Sequence, residues 1–326
     1  MPPETTKPAG KQSPFMQSWL TRTRSADFAF AVAVVVLVVF ASTASDAFLT
    51  ERNLVNVSRQ MVTNGLLGLG MLIVILSGGI DLSVGSVVSF AGILATGLQA
   101  SMPLPLALAI AIAVGLGVGL ANGVLIAYFR LQPFIVTLAT MGSVRGAIYV
   151  YSNTPQYATD PFFISVLGAG KLFGLVPITF LIFVAFLPIV WFFLNRMRAG
   201  RAVISIGINA EASRLAGIDV RKHIVGAYVL SGFFASIAGI LLAARLGISQ
   251  PSVGVAYELD AIAAVVIGGG ILGGGGGSVG GLIGGVLALS IVDNILNLFN
   301  VQSYYQDVVK GLIILVAVLA RRRSRD

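Results

Sequence analysis

The 326-residue chain has no cysteine and a single histidine, His223. Those absences exclude disulfide frameworks, cysteine-ligated zinc, iron–sulfur clusters and c-type haem attachment, and they leave no pairing of a cysteine or serine nucleophile with a well-placed base. Charge is scarce too: Asp, Glu, Lys and Arg together make up 10% of the residues, where a soluble domain carries about 25%. What abounds is apolar side chain, at 56%, with 39 glycines and a mean hydropathy of +0.93. So little polar surface cannot wrap that much apolar volume in water, and the excess must face lipid. The composition therefore predicts an all-α polytopic membrane protein.

A bilayer core of about 30 Å takes about 20 helical residues to cross. Apolar runs place spans near 28–48, 61–77, 82–100, 103–127, 133–151, 172–194, 223–243, 258–276, 279–299 and 306–320, about ten transmembrane or partly re-entrant helices. Residues 1–27, polar and rich in Pro, Ser and Thr, read as a disordered cytoplasmic tail ahead of a transmembrane domain, 28–320, and a short basic cytoplasmic tail, 321–326. The run after Phe28 followed by small residues imitates a signal peptide, but its polar leader is long and a first spanning helix fits better.

The basic residues give an independent check. With an even number of spans both termini share one side, and that side holds Lys7, Lys11, Arg22, Arg24, Arg130, Arg196, Arg198, Arg201, Arg214, Arg221, Lys222 and the terminal Arg321, Arg322, Arg323 and Arg325. The other side holds only Arg52, Arg59, Lys171 and Arg245. Positive residues favour the cytoplasm, so both termini are expected there. The net charge of +8 forms no continuous stripe, which argues against nucleic acid as a partner and for the lipid bilayer.

Several spans are poor lipid-facing helices. The 258–276 segment stays apolar for only part of its length before a glycine run, and 133–151 opens at Pro133 and contains Arg145. Such segments are tolerated inside protein or beside a wet cavity. Gly115, Gly119 and Gly123, and again Gly277, Gly281 and Gly285, recur at every fourth position and predict close helix packing along one face. The glycine run at 268–279 is not a phosphate loop, because Gly277 stands where Lys must precede the Ser. It reads as a joint between two short membrane segments.

Intramembrane ionisable groups are few: Asp81, Arg145, Asp293, Asp307 and Lys310. A transporter coupled to protons or sodium needs more. Asp81, in Ser-Gly-Gly-Ile-Asp-Leu-Ser-Val-Gly-Ser at 77–86, is placed to cap the following helix, and Arg145 reads as a snorkelling or paired structural residue. Neutral polar side chains on the broken segments supply donors and acceptors without net charge. With Asp81, the candidate translocation pathway is Ser77, Ser83, Ser86, Asn122, Thr137, Thr140, Asn294 and Asn297.

The loop 195–222 carries helix punctuation of its own. Asn209 is a good N-cap, Glu211 complements the positive end of a helix, and Gly217 is placed to stop it in the left-handed conformation. A helix of about seven residues cannot hold itself in water, so something must pack against it.

These residues resemble the permease subunits of ATP-binding-cassette importers for monosaccharides, of the ribose, xylose and arabinose type. The carriers of the likeness span about 50–320: the 77–86 motif, Ala-Asn-Gly at 121–123, Phe-Ile-Val-Thr-Leu-Ala-Thr-Met at 134–141, Gly200-Arg201, Asn-Ala-Glu-Ala-Ser-Arg-Leu-Ala-Gly-Ile at 209–218, Tyr-Glu-Leu-Asp-Ala-Ile-Ala-Ala-Val-Val-Ile-Gly-Gly at 257–269 and Ser-Tyr-Tyr-Gln at 303–306. The last two look most like the ribose members. The glycine-dominated stretch at 273–278 is richer than the family pattern.

The resemblance implies a non-enzymatic transport subunit without cofactor, ATP being used by a partner ATPase subunit on the cytoplasmic side. It also implies an extracytoplasmic sugar-binding protein and a second permease copy, expected as a homodimer. Coupling to the ATPase falls to Asn209, Glu211, Ala212, Arg214, Leu215 and Gly217. A self-sufficient channel or facilitator for small neutral solutes is the alternative, built from the same packing and the same neutral polar lining.

Overall fold

The computed structural model describes residue 32 and residues 34–323. The expected tail 1–27, the start of the first span and residues 324–326 lie outside the described residues. Twelve α-helices follow in order among those described: α1 (Val34–Ala44), α2 (Glu51–Leu76), α3 (Val84–Gly97), α4 (Leu104–Ala127), α5 (Pro133–Tyr151), α6 (Ile178–Arg196), α7 (Arg198–Ile208), α8 (Ala210–Leu215), α9 (Val220–Leu246), α10 (Tyr257–Ile267), α11 (Val279–Leu298) and α12 (Ser303–Arg323). Six of them, α2, α4, α5, α6, α9 and α11, are long and apolar enough to cross a membrane. The chain is an all-α polytopic membrane protein. Among the described residues the sheet content is two short antiparallel pairings, Gln156–Tyr157 with Ile248–Ser249 and Lys171–Leu172 with Val176–Pro177.

Local chemistry sets most boundaries. Thr50 caps α2 through its hydroxyl, so the helix starts ten residues before the apolar run expected from 61 and takes Glu51, Arg52 and Asn53 into its first turn. Proline opens α5 at Pro133, Ser278 caps α11, and Gly247 ends α9 in the left-handed conformation. Two spans are shorter than composition suggests. α10 stops at Ile267, because the glycine run to Gly277 is an irregular connection rather than helix. α6 begins at Ile178, after a hairpin that uses Lys171 to Pro177. The backbone of α12 runs on through Arg323.

The core runs along α2. Every residue from Met61 to Leu76 is buried, as a helix that is apolar on all faces requires. α4, α5 and α6 instead bury one face each and expose the rest, the pattern of a lipid-facing ring. α4 lies against α9 through its glycines. A Cβ on Gly119 would sit 2.9 Å from Val229 Cα and one on Gly123 2.7 Å from Val225 Cα, so the two backbones touch as small-residue stripes allow. The second glycine series only partly behaves this way. Gly281 and Gly285 pack on Gly268 and Ala264 of the α10 end, but Gly277 precedes α11 with a positive φ and lies in the connection, not on that face.

Candidate functional site

α2 breaks at its end. Ser77 turns its hydroxyl back onto the Val74 carbonyl at 2.7 Å, Gly78 takes a positive φ, and an extended stretch leads to α3. Asp81 lies in this break, buried. One carboxylate oxygen accepts from the Ser83 amide at 3.0 Å and the Ser83 hydroxyl at 2.6 Å, the other from the Ser231 hydroxyl on α9 at 2.8 Å. Asp81 thus satisfies a single amide just before α3, a turn contact beside the expected cap, and binds one further element, α9.

The chain of hydrogen bonds continues. Asn122 on α4 donates to the Ser83 hydroxyl at 2.9 Å and accepts from Thr140 on α5 at 2.6 Å. Thr137 bonds the Pro133 carbonyl at 2.9 Å and reaches toward the carbonyl of Ile80, which also accepts from the Tyr228 hydroxyl. Ser86 returns to the Ser83 carbonyl at 2.7 Å. The carboxylate is therefore met by neutral donors from Ser83, just before α3, and Ser231 on α9, the network extends through Asn122 on α4 to Thr140 on α5, and buried polar groups in such a network are satisfied by one another.

Of the expected pathway residues, Asp81, Ser83, Asn122 and Thr140 are joined directly, with Ser86 and Thr137 beside them. Ser77 is not part of the network. Asn294 is also elsewhere: it pairs reciprocally with Asn53 at 2.8 and 2.7 Å near the start of α2. A helix rises about 1.5 Å per residue, so nearly the full length of α2 separates that pair from Asp81. Asn297 is exposed and accepts from Gln306 at 3.1 Å, tying α11 to α12. Ser231 and Asn53 were not read from sequence. Ser231 is a small polar residue in an apolar helix and Asn53 lies in the polar first turn of α2, and their partners are 150 and 241 positions away.

A second polar centre holds the start of α10. Lys310 on α12 lies 3.0 Å from Asp260 and 3.4 Å from Asp293, making an ion triad across α10, α11 and α12. Nearby, Arg145 on α5 donates to the Pro251 carbonyl at 2.8 Å, to the Val253 carbonyl at 3.3 Å and to the Ser89 hydroxyl at 3.3 Å, the paired structural role its sequence context suggested. Ser89 also bonds Val253. α3 and α10 meet first turn to first turn, with Gly85 closed against the Glu258 carboxylate and the Gly254 carbonyl. By contrast, an apolar cavity of about 630 Å³ between α6 and α9, lined by Phe186, Trp191, Phe233 and Phe234, offers no polar partner to a hydroxylated solute.

α8 stands apart. Asn209 caps it, its side chain accepting from the Ala212 amide at 2.9 Å, and Gly217 closes it at φ +84°. Ser213 is buried and meets Ser205 of α7 at 2.8 Å, which supplies the packing so short a helix needs. Ala212 and Glu211 are exposed, and Leu215 is 74% exposed. Arg214 donates to Glu211 at 3.0 Å, and that hydrogen bond holds the Glu211 carboxyl below the usual carboxylate range. Asp219, which caps α9 through the Lys222 amide, is lowered in the same sense. His223 turns onto the Asp219 carbonyl at 2.7 Å on the exposed surface.

Residues 53–318 match the family described as the permease component of branched-chain amino acid transport systems. The chain belongs to this permease family. Its curated relatives include the ribose import permease of Escherichia coli (strain K12), 38% identical over 98% of this chain and 100% of the relative. The ribose import permease of Bacillus subtilis (strain 168) is 40% identical over 89% of this chain and 90% of its own length. The L-arabinose transport system permease of Escherichia coli (strain K12) is 38% identical over 84% of each. No solved structure matches the chain. The break between α2 and α3, the α8 punctuation and the α10 start, the stretches that carried the sequence resemblance, are thus the parts of a permease.

Proposed function

We propose that the sugar carried is ribose, and that the chain moves it by alternating access while a separate ATPase subunit supplies the energy. The chain is a membrane permease of a monosaccharide importer of the ATP-binding-cassette class. The observation that carries the choice of ribose is likeness along the full length of a ribose permease, with narrower coverage for the arabinose relative. Both termini lie in the cytoplasm of a cell with this protein in its cytoplasmic membrane, an orientation supported by the distribution of Lys and Arg.

α8 docks on the ATPase. Leu215 and Ala212 offer it apolar contact, Glu211 and Arg214 a charged pair, and Asn209 and Gly217 set the ends of the helix, a helix-in-groove arrangement. The protein needs no cofactor of its own, because ATP is bound and hydrolysed on the partner. An extracytoplasmic binding protein delivers the sugar, and a second copy of the chain completes the passage. Ser83, Ser86, Asn122, Thr137 and Thr140 hold the wall of that passage, with Asp81 keeping them in place. Ser77, Asn294 and Asn297 border it at other depths. A neutral hydroxylated solute needs weak, exchangeable hydrogen bonds rather than a charged site.

Reconstituted in vesicles with its ATPase and binding protein, the permease should take up labelled ribose, and excess unlabelled ribose should suppress the signal more than equal arabinose does. Preferential suppression by arabinose would reassign the sugar.

A further inference from the structure

Three backbone segments converge immediately before α8. The last carbonyl of α2, Leu76, accepts from the Gly275 amide in the α10–α11 connection at 3.1 Å. Gly207, in the last turn of α7, lies against both: a Cβ there would sit on the Leu76 carbonyl and within 2.6 Å of the Gly275 nitrogen. Gly274 closes against Gly207 in turn, 2.8 Å from its Cα when given a Cβ, and Gly275 is pressed onto Ile208. Both Gly274 and Gly275 have positive φ. One residue past Ile208 begins the Asn209 cap of α8, whose buried Ser213 bonds Ser205 of α7.

The consequence is mechanical. α7 and α8 are held together by a cap and a buried serine pair. The α7 end touches, with no side chain between, the end of the helix that leads to α3 and the joint that follows α10. α3 and α10 are the two short helices whose first turns meet at Gly85 and Glu258. Packed backbone has low compressibility and transmits displacement, whereas a flexible side chain would absorb it.

We propose that Gly207 is a positioning residue of the transport cycle: the contact of Gly207 with Leu76 and Gly275 stays closed throughout the cycle and carries motion of α8 to both half-helices at once. This inference rests on the reading that α8 docks the ATPase. It also accounts for two glycines of the 273–278 stretch, Gly274 and Gly275, since a bulkier chain cannot enter the contact.

The experiment uses the full transporter in vesicles, and the absence of native cysteine makes it clean. A Leu215→Cys variant first reports docking by a bifunctional crosslink to the ATPase. Loss of that crosslink overturns the docking reading and the relay together. With the crosslink present, Gly207→Ala should lower ribose moved per ATP hydrolysed by about tenfold, while Gly280→Ala, which faces open space, leaves the ratio unchanged. An unchanged ratio in Gly207→Ala overturns the relay alone. Should Gly207→Ala fail to insert, Ser205→Cys with Ser213→Cys decides, since these hydroxyls meet at 2.8 Å outside the glycine contact and the relay requires α7 and α8 to move as one: the oxidised, disulfide-closed pair should transport as well as the reduced pair, and uptake stopped by oxidation and restored by reductant would overturn the proposal.

Discussion

The two half-helices are fixed by opposite means. α3 starts beside one carboxylate, Asp81, met wholly by neutral donors from Ser83 and Ser231 and extended through Asn122 to Thr140. α10 carries Asp260 in its first turn, which shares the ammonium of Lys310 with Asp293. In the first network any single hydroxyl can be lost and the others still hold the carboxylate. In the second, one cation compensates two anions, so everything depends on Lys310. Neutral donors and acceptors exchange partners readily, whereas the ion triad is suited to staying shut.

The sharpest break of this contrast is Lys310→Met. Removing one partner of a buried ion group leaves its charge uncompensated and costs about 3–5 kcal/mol, read as loss of thermal stability of the purified protein in detergent. Adding Asp260→Asn and Asp293→Asn to that variant should recover most of the loss. On the neutral side, Ser231→Ala removes one hydrogen bond to a charged acceptor and should cost about 1.5–3 kcal/mol, with no need of a second substitution. Thr140→Val lies farther from the charge and should cost about 0.5–1.5 kcal/mol. If Thr140→Val proved as damaging as Lys310→Met, the two centres would not differ in kind.

The smallest effect concerns α8. Glu211 is held below its usual range by Arg214, so its contribution is present above the unfolded-state value and is lost only as pH falls through the lower folded value. The Leu215 crosslink to the ATPase should therefore persist through mild acid and fail only below the ordinary carboxylate range. A crosslink that weakens already near neutrality would point to a different group.

Much of α8 was legible because capping is local: Asn209, Glu211 and Gly217 act within a few residues of one another, and sequence displays that spacing directly. The spans at 103–127, 133–151 and 279–299 were legible from their apolar runs, and Pro103, Pro133 and Ser278 stand at their starts in the structure. The start of α2 was hidden because Thr50 caps polar residues that hydropathy discards. The end of α10 was hidden because a glycine run is weakly apolar and reads as a continuing span. At the site, Ser83, Asn122 and Thr140 could be named as polar groups on broken helices. Their meeting with Ser231 depends on α9 crossing the break, which no local spacing records.

The central claim is that this chain is a passage driven by a partner. Its most direct measurement is labelled ribose inside vesicles that hold the permease alone, compared with vesicles that hold permease, ATPase, binding protein and ATP. The account predicts accumulation above the outside concentration in the complete system and no entry through the permease alone. Ribose equilibrating through the permease alone, without ATP, would contradict it.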